Sequence, residues 1–296
     1  MSPITVGLLA HNGSVGRALL ASLYQAQTKG DLKVVVLHRP NSDTSKVPSD
    51  VEKRVVELGE GKVDAVRDAT KDLEVVISAV GAEGFESQLY LVQALAGSPS
   101  LKAFFPSDFG PDWNAEERAA PIFSFVHTKD AVVNKAKELK VPVVEVKIGL
   151  IDLFFFAYKV LGTDLQANKV QYFRKSLENK IPLTSFGYLG HAIVQLITSP
   201  ISLSKIADTK LNIYNLAPTG NQIASAFQKV NGVAPEKVGL KEEEYEEQLR
   251  SLPAAIGAAV FRRWGEGDLG DNPRTEVKGW REENVDDVVR AWAEKA

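Results

Sequence analysis

The chain has 296 residues, enough for one large α/β domain with an appended lobe or for two domains, and its 44% apolar and 25% charged residues are those of an ordinary globular protein. A net charge of -3 with no basic block argues against an electrostatic nucleic-acid footprint, and the absence of cysteine removes disulfides, thiolate nucleophiles and cysteine-ligated zinc. The four histidines, His11, His38, His127 and His191, show no short metal-binding spacing, so no metal site is expected.

Met1-Ser-Pro runs straight into an apolar stretch, leaving no secretory h-region, and the longest apolar runs are too short to span a bilayer. The expected location is the cytosol. Residues 5–20, TVGLLAHNGSVGRALL, then read as a buried strand, a small polar turn and the opening of an amphipathic helix. Gly13 and Gly16 stand three apart with Ala10 three before them, one glycine short of G-x-x-G-x-x-G. In a strand-turn-helix unit such a loop lets backbone N–H groups approach a pyrophosphate at a helix N-terminus. The alternative for this stretch taken alone is a tight connection with no ligand.

The helix continues through Ala18, Leu19, Leu20, Leu23 and Tyr24 and closes at Lys29-Gly30-Asp31. Residues 32–37, LKVVVL, predict a second buried parallel strand ending in His38-Arg39-Pro40. In a dinucleotide fold this end lies beside the adenosine ribose, where an arginine pairs with a 2′-phosphate and an acid would accept from a 2′-OH. Arg39 therefore favours NADP(H); the plainer alternative is a solvated surface arginine. A third strand is predicted over 54–58, a helix over 63–69, a fourth strand over 73–80 (LEVVISAV), a helix over 85–96 and a fifth strand over 101–105. This alternation predicts an α/β fold of Rossmann type, a doubly wound parallel sheet whose ligands bind at the carboxyl ends of its strands.

Within a helix predicted between Pro121 and Leu139, Val126, Lys129, Val133 and Ala136 share one face. A lysine on an apolar stripe either reaches a ligand or buried partner, or packs its stem while the ammonium reaches water. A sixth strand is predicted over 141–148. The run Phe154-Phe155-Phe156 with Tyr158 suits either the wall of an aromatic pocket or ordinary core. Past Tyr158 the alternation fades: a short strand is predicted near 170–173, helices over 187–197 and 221–230, a strand over 211–216, an acidic helix over 242–249, an alanine-rich helix over 254–264 and a last helix over 285–293. Residues 1–150 are accordingly expected to form the NAD(P)-binding Rossmann domain, and 151–296 mainly a smaller substrate-binding lobe that returns some elements to it.

Together these segments resemble the NmrA-like and isoflavone-reductase-like branch of the atypical short-chain dehydrogenases. The resemblance rests on AHNGSVG at Ala10 to Gly16, LHR ending at Arg39, VISAVG at Val76 to Gly81 and FFPSDFG at Phe104 to Gly110, with looser likeness at Lys180 to Gly190 and at Asn215-Leu-Ala. It implies a turn of Ala10, Asn12, Gly13, Ser14, Val15 and Gly16 facing the pyrophosphate and Arg39 on the 2′-phosphate with His38 beside it. It further implies that Ser78, Ala79, Val80, Gly81, Pro106, Ser107 and Phe109 line the NADP(H) cofactor and that Lys129, also against the cofactor, is the catalytic lysine. Phe109, Phe154 and Phe155 are expected to contact substrate. The chain departs from the family pattern in two places. Ala10 replaces the first glycine, where an alanine fits most readily with negative φ, and His11-Asn12 replaces the residues before the second. The Tyr-x-x-x-Lys pair of typical short-chain dehydrogenases is absent, because Phe125 stands four before Lys129.

The function expected is that of an NADPH-dependent reductase of a small aromatic or conjugated metabolite, with Lys129 as acid or oxyanion stabiliser. A non-catalytic NADP(H)-sensing regulator is the alternative, and a nucleotide-sugar epimerase or dehydratase is disfavoured by the missing tyrosine. The partners expected are a small-molecule substrate, with no nucleic acid and no membrane, in a monomer or homodimer; a protein partner belongs to the regulatory reading.

Overall fold

The computed structural model describes residues 3–199, 203–252, 254–269 and 273–295. Along the chain the elements are β1 (Ile4–Leu9), α1 (Ser14–Thr28), β2 (Leu32–His38), β3 (Glu52–Val55), α2 (Val63–Thr70), β4 (Val75–Ser78), α3 (Gln88–Leu95) and β5 (Ala103–Phe105). There follow α4 (Ala115–Ala119), α5 (Ser124–Glu138), β6 (Val144–Lys147), β7 (Leu150–Ile151) and α6 (Asp152–Phe156). The remainder comprises β8 (Lys169–Tyr172), β9 (Leu183–Thr184), α7 (Phe186–Thr198), α8 (Leu203–Ile206), β10 (Thr209–Asn212), α9 (Gly220–Asn231), β11 (Glu236–Gly239), α10 (Glu242–Gln248), α11 (Ala254–Glu266) and α12 (Val285–Ala293).

The chain folds as two compact units: Met1–Phe109 with Phe125–Val146 and Leu189–Leu211, and Gly110–Ser124 with Lys147–Tyr188 and Asn212–Ala296. In the first, five parallel strands lie in the order β3-β2-β1-β4-β5. That order reverses direction between β1 and β4, which makes their carboxyl ends the switch point where doubly wound sheets bind ligands. Val34, Val35, Val36 and Leu37 of β2 are fully buried, as are Val75, Val76 and Ile77 of β4. Sheets covered by helices on both faces require such unbroken apolar strands rather than alternation. Each of these side chains contributes about 1.5–3 kcal/mol of transfer free energy. The predicted sixth strand is shorter than expected: a parallel bridge between Phe104 and Val143 sets it beside β5, and β6 itself pairs with β10.

In the second unit, β8 pairs in parallel with β11 and β7 with β9. Thr219 caps α9 by accepting from Gln222 N, while Gln222 Oε1 accepts from Thr219 N, the reciprocal box that satisfies two orphan donors at a helix start. Its core is aromatic: Phe155 meets Phe156 and Trp264 edge-on, and Phe173 stacks on Tyr245.

Candidate functional site

The opening turn differs in conformation from the sequence expectation. Ala10 has φ 65, in the left-handed region, where a Cβ costs about 1–2 kcal/mol and glycine costs nothing. Beyond it Gly13 is the N-cap of α1 with no side chain capping this end and no acidic residue in the first turn. An uncapped fifteen-residue helix without acids at its start leaves its first N–H groups and the positive end of its dipole for an anion. Gly16 is needed for a different reason: a Cβ there would collide with the carbonyl oxygen of Ala10. Helix and turn touch through bare backbone. A Cβ on Gly13, by contrast, would make only ordinary van der Waals contact, 3.9 Å from Ala10 O and Ala79 O.

His11 and Asn12 do something the sequence did not disclose. His11, only 2% exposed, brings Nε2 within 3.1 Å of Asp43 O, and Asn12 donates from Nδ2 to the same oxygen at 2.7 Å. Burial, opposed by the bond to Asp43 and aided by nearby His38, holds the His11 pKa below its ordinary value. His38 Nδ1 lies 2.9 Å from Arg39 O, and Arg39 is exposed at the end of β2. The turn and the loop that begins at Arg39 are thus linked directly.

At the carboxyl ends of β4 and β5, Ser78 is wholly buried and its Oγ has no hydrogen-bond partner. An orphaned hydroxyl in this place, an uncapped helix start and open space beside Gly81 together fit a bound dinucleotide. Ser107 donates from Oγ to Val80 O at 2.7 Å, and its N–H donates to Oε1 of buried Gln88 at 2.9 Å, so the segments after β4 and β5 are stitched together. Ala79 N in turn donates to Leu9 O at 3.0 Å, tying them to β1.

Lys129 reaches the same edge. From α5 its Nζ lies 3.1 Å from Asp108 Oδ1, with the Phe85 ring centroid 4.9 Å and the Phe125 centroid 5.8 Å away. The flanking Val126, Val133 and Ala136 are buried, as the helical spacing required. The side chain has found a buried carboxylate rather than stretching its ammonium into open solvent, and two aromatic faces add cation–π attraction. Phe125 occupies the position four before the lysine where typical short-chain dehydrogenases carry tyrosine, and here the ring packs on the ammonium. Asp108, Phe85 and Gln88 were not singled out from sequence; the FFPSDFG segment contained the first, but only the fold brings the other two to it.

In the second unit the aromatic run splits. Phe155 is fully buried against Phe156 and Trp264, so the expectation that it contacts substrate is corrected: the ring fills the core, and α6 turns it inward. Phe154 is half-buried beside the exposed Tyr158, ring centroids 5.5 Å apart. At the start of α6 burial pushes the Asp152 carboxyl up to about 6, against the opposing hydrogen bond from Trp292 Nε1 at 3.4 Å.

The sequence model of the NmrA-like family matches residues 7–262. The chain belongs to the NmrA-like family. Among curated relatives it is similar to the phenylcoumaran benzylic ether reductase Betv6 of Betula pendula, 24% identical over 218 residues that cover 71% of this chain and 68% of the relative. It is likewise similar to eugenol synthase 2 of Clarkia breweri, 24% identical over 220 residues, 73% of this chain and 67% of that one. Among solved structures, an isoflavone reductase superposes with a TM-score of 0.80 at 17% identity, covering 98% of this chain and 99% of that chain. The complex of leucoanthocyanidin reductase with NADPH from Vitis vinifera gives 0.78 at 16% identity, covering 97% and 99%. At these identities the structures establish the fold of this NmrA-like protein: the Rossmann-type parallel sheet expected from sequence. No described helix is long and apolar enough to cross a membrane.

Proposed function

We propose that this NmrA-like protein is an NADPH-dependent reductase of a small aromatic or conjugated metabolite. The observation that carries the reading is Lys129, its ammonium fixed by Asp108 and two aromatic faces at the carboxyl edge of the sheet. The reductases named among its relatives support it, as does the complex of one structural neighbour with NADPH. The pyrophosphate would lie on Gly13 to Gly16 at the start of α1 and the 2′-phosphate on Arg39. The nicotinamide end would face Ser78 to Gly81 and Pro106 to Phe109. Bound NADPH supplies a hydride to an electron-poor carbon of the substrate.

The residues of the chain do the rest. As negative charge gathers on the substrate oxygen, Lys129 donates a hydrogen bond or a proton to it from Nζ, the kind of contribution worth about 10²–10⁴ in rate. Asp108 fixes where that ammonium stands, so little of the barrier goes into reorganising it. Phe109, next in the chain to Asp108, is the aromatic side chain this reading gives to substrate contact.

Titration of NADPH fluorescence, followed by a screen of phenylpropanoid, isoflavonoid and quinone acceptors, tests the reading. Turnover with one of these, lost in Lys129→Ala while NADPH still binds, supports it. Binding of NADP+ and NADPH with unequal affinity but no turnover of any acceptor points instead to a regulator that senses the NADP(H) pool.

A further inference from the structure

The loop between β2 and β3 runs from residue 39 to 51 without secondary structure of its own, long for a connection in a compact fold. Its far half is well anchored. Val47 and Val51 are buried, and Asp50 accepts from Tyr24 Oη at 3.1 Å and Gln27 Nε2 at 3.4 Å on α1. Its near half, 39–46, carries local turns only, such as Ser42 N to Arg39 O and Ser45 N to Asp43 Oδ1. Among the described residues, the side chains of His11 and Asn12 supply the only hydrogen bonds that tie this half to an element distant in sequence.

We propose that His11 and Asn12 are specificity-determining positioning residues: by clamping the Asp43 carbonyl they hold the loop bearing Arg39 in the conformation that receives a 2′-phosphate. The inference rests on the NADPH reading above and goes beyond it, because it assigns selectivity between NADPH and NADH to residues that need not touch the phosphate. A carbonyl has two lone pairs and accepts only, so both are filled here, one by an amide and one by an imidazole. His11 Nε2 must carry the hydrogen, and the adjacent His38 and burial both favour the neutral ring. Arg39 itself follows the sheet-paired His38; without the clamp, the segment that continues from it is held by local turns alone, and binding must then order that segment at the expense of affinity.

The test compares NADPH and NADH affinities of the full chain in wild type, His11→Ala, Asn12→Ala and His11→Gln, alongside amide hydrogen exchange at 39–46 without cofactor. Because Asn12 is exposed, its variant folds even if the loss of buried His11 does not. The proposal expects the alanine variants to lose about tenfold more affinity for NADPH than for NADH, and exchange at 39–46 to rise. Glutamine at position 11, which keeps an N–H donor of similar reach, restores most of the difference. A parallel loss of both cofactors would mean that the substitutions merely damage the turn, and unchanged NADPH affinity would mean that the clamp does nothing; either overturns the proposal. Failure of the wild type to bind NADPH at all overturns the NADPH reading and this inference with it, an outcome distinct from the other two.

Discussion

Lys129 Nζ stands 3.1 Å from Asp108 Oδ1, and the two side chains are only 11% and 5% exposed. One comes from the middle of α5 and the other from the segment that follows β5. Breaking such a pair from one side leaves a desolvated charge, whereas neutralising both sides does not. Lys129→Ala is therefore expected to cost about 3 kcal/mol of stability. Adding Asp108→Asn should recover a large part of that. Urea unfolding of the single and double variants gives the coupling energy directly, and additive losses would show that the pair is not a unit.

The turn contains one strained residue and one that admits no side chain. Ala10→Gly relieves a left-handed alanine at the expense of a freer unfolded chain, so a net stabilisation of about 0.5–1 kcal/mol is expected. NADPH affinity should hold or improve. Gly16→Ala forces a Cβ against Ala10 O and is expected to lose more than about 3 kcal/mol together with cofactor binding. Thermal unfolding and NADPH titration check both.

Arg39→Ala is expected to weaken NADPH binding by about tenfold to a hundredfold, the worth of a charge-assisted hydrogen bond or two. The dependence of binding on salt should flatten in the same variant. Equal affinity of wild type and variant for NADPH would remove Arg39 from the site.

Two buried groups give opposite responses to pH. Asp152 is pushed up to about 6 from 3.8 by burial, so between these values the folded chain keeps a proton that the unfolded chain releases. Its contribution is therefore present below 3.8 and lost as pH rises through about 6. Asp152→Asn is expected to stabilise the protein near neutrality by up to about 3 kcal/mol and to leave it nearly unchanged in acid. His11 acts the other way: its lowered pKa means that the unfolded chain binds the proton first, and stability falls as pH drops below 6.5. In His11→Gln that acid-side loss should shrink. Denaturant midpoints across the acid-to-neutral range, compared variant by variant, check both signs.

The sheet was legible in the sequence because its strands are unbroken apolar runs. The segments 32–37 and 73–80 allow no other placement once they alternate with helical spacing. At Lys129 the spacing left two readings open, an ammonium that meets a buried partner or one that reaches water, and the stripe of Val126, Val133 and Ala136 did not choose between them. What that partner was could not be read: Asp108 lies twenty-one residues earlier in the chain, and only the packing of α5 beside β5 brings them together. The departures at positions 10–12 were visible but their meaning was not, because a left-handed φ and a bond to a backbone carbonyl leave no mark in residue type. The second unit was harder. Strand β11, with sequence EKVG, is largely exposed and shows no apolar alternation, and Phe154 and Phe155 are chemically identical neighbours separated only by the direction each takes from α6.

The central claim is that Lys129 serves chemistry at a bound NADPH. Its most direct test is the rate of NADPH oxidation by wild type and Lys129→Ala at saturating cofactor, with an acceptor drawn from the aromatic and conjugated panel. The account predicts turnover by the wild type and a fall in kcat of about a hundredfold or more in the variant, with the Kd for NADPH held within a few fold. Equal turnover by the two proteins, or none with any acceptor, would contradict it.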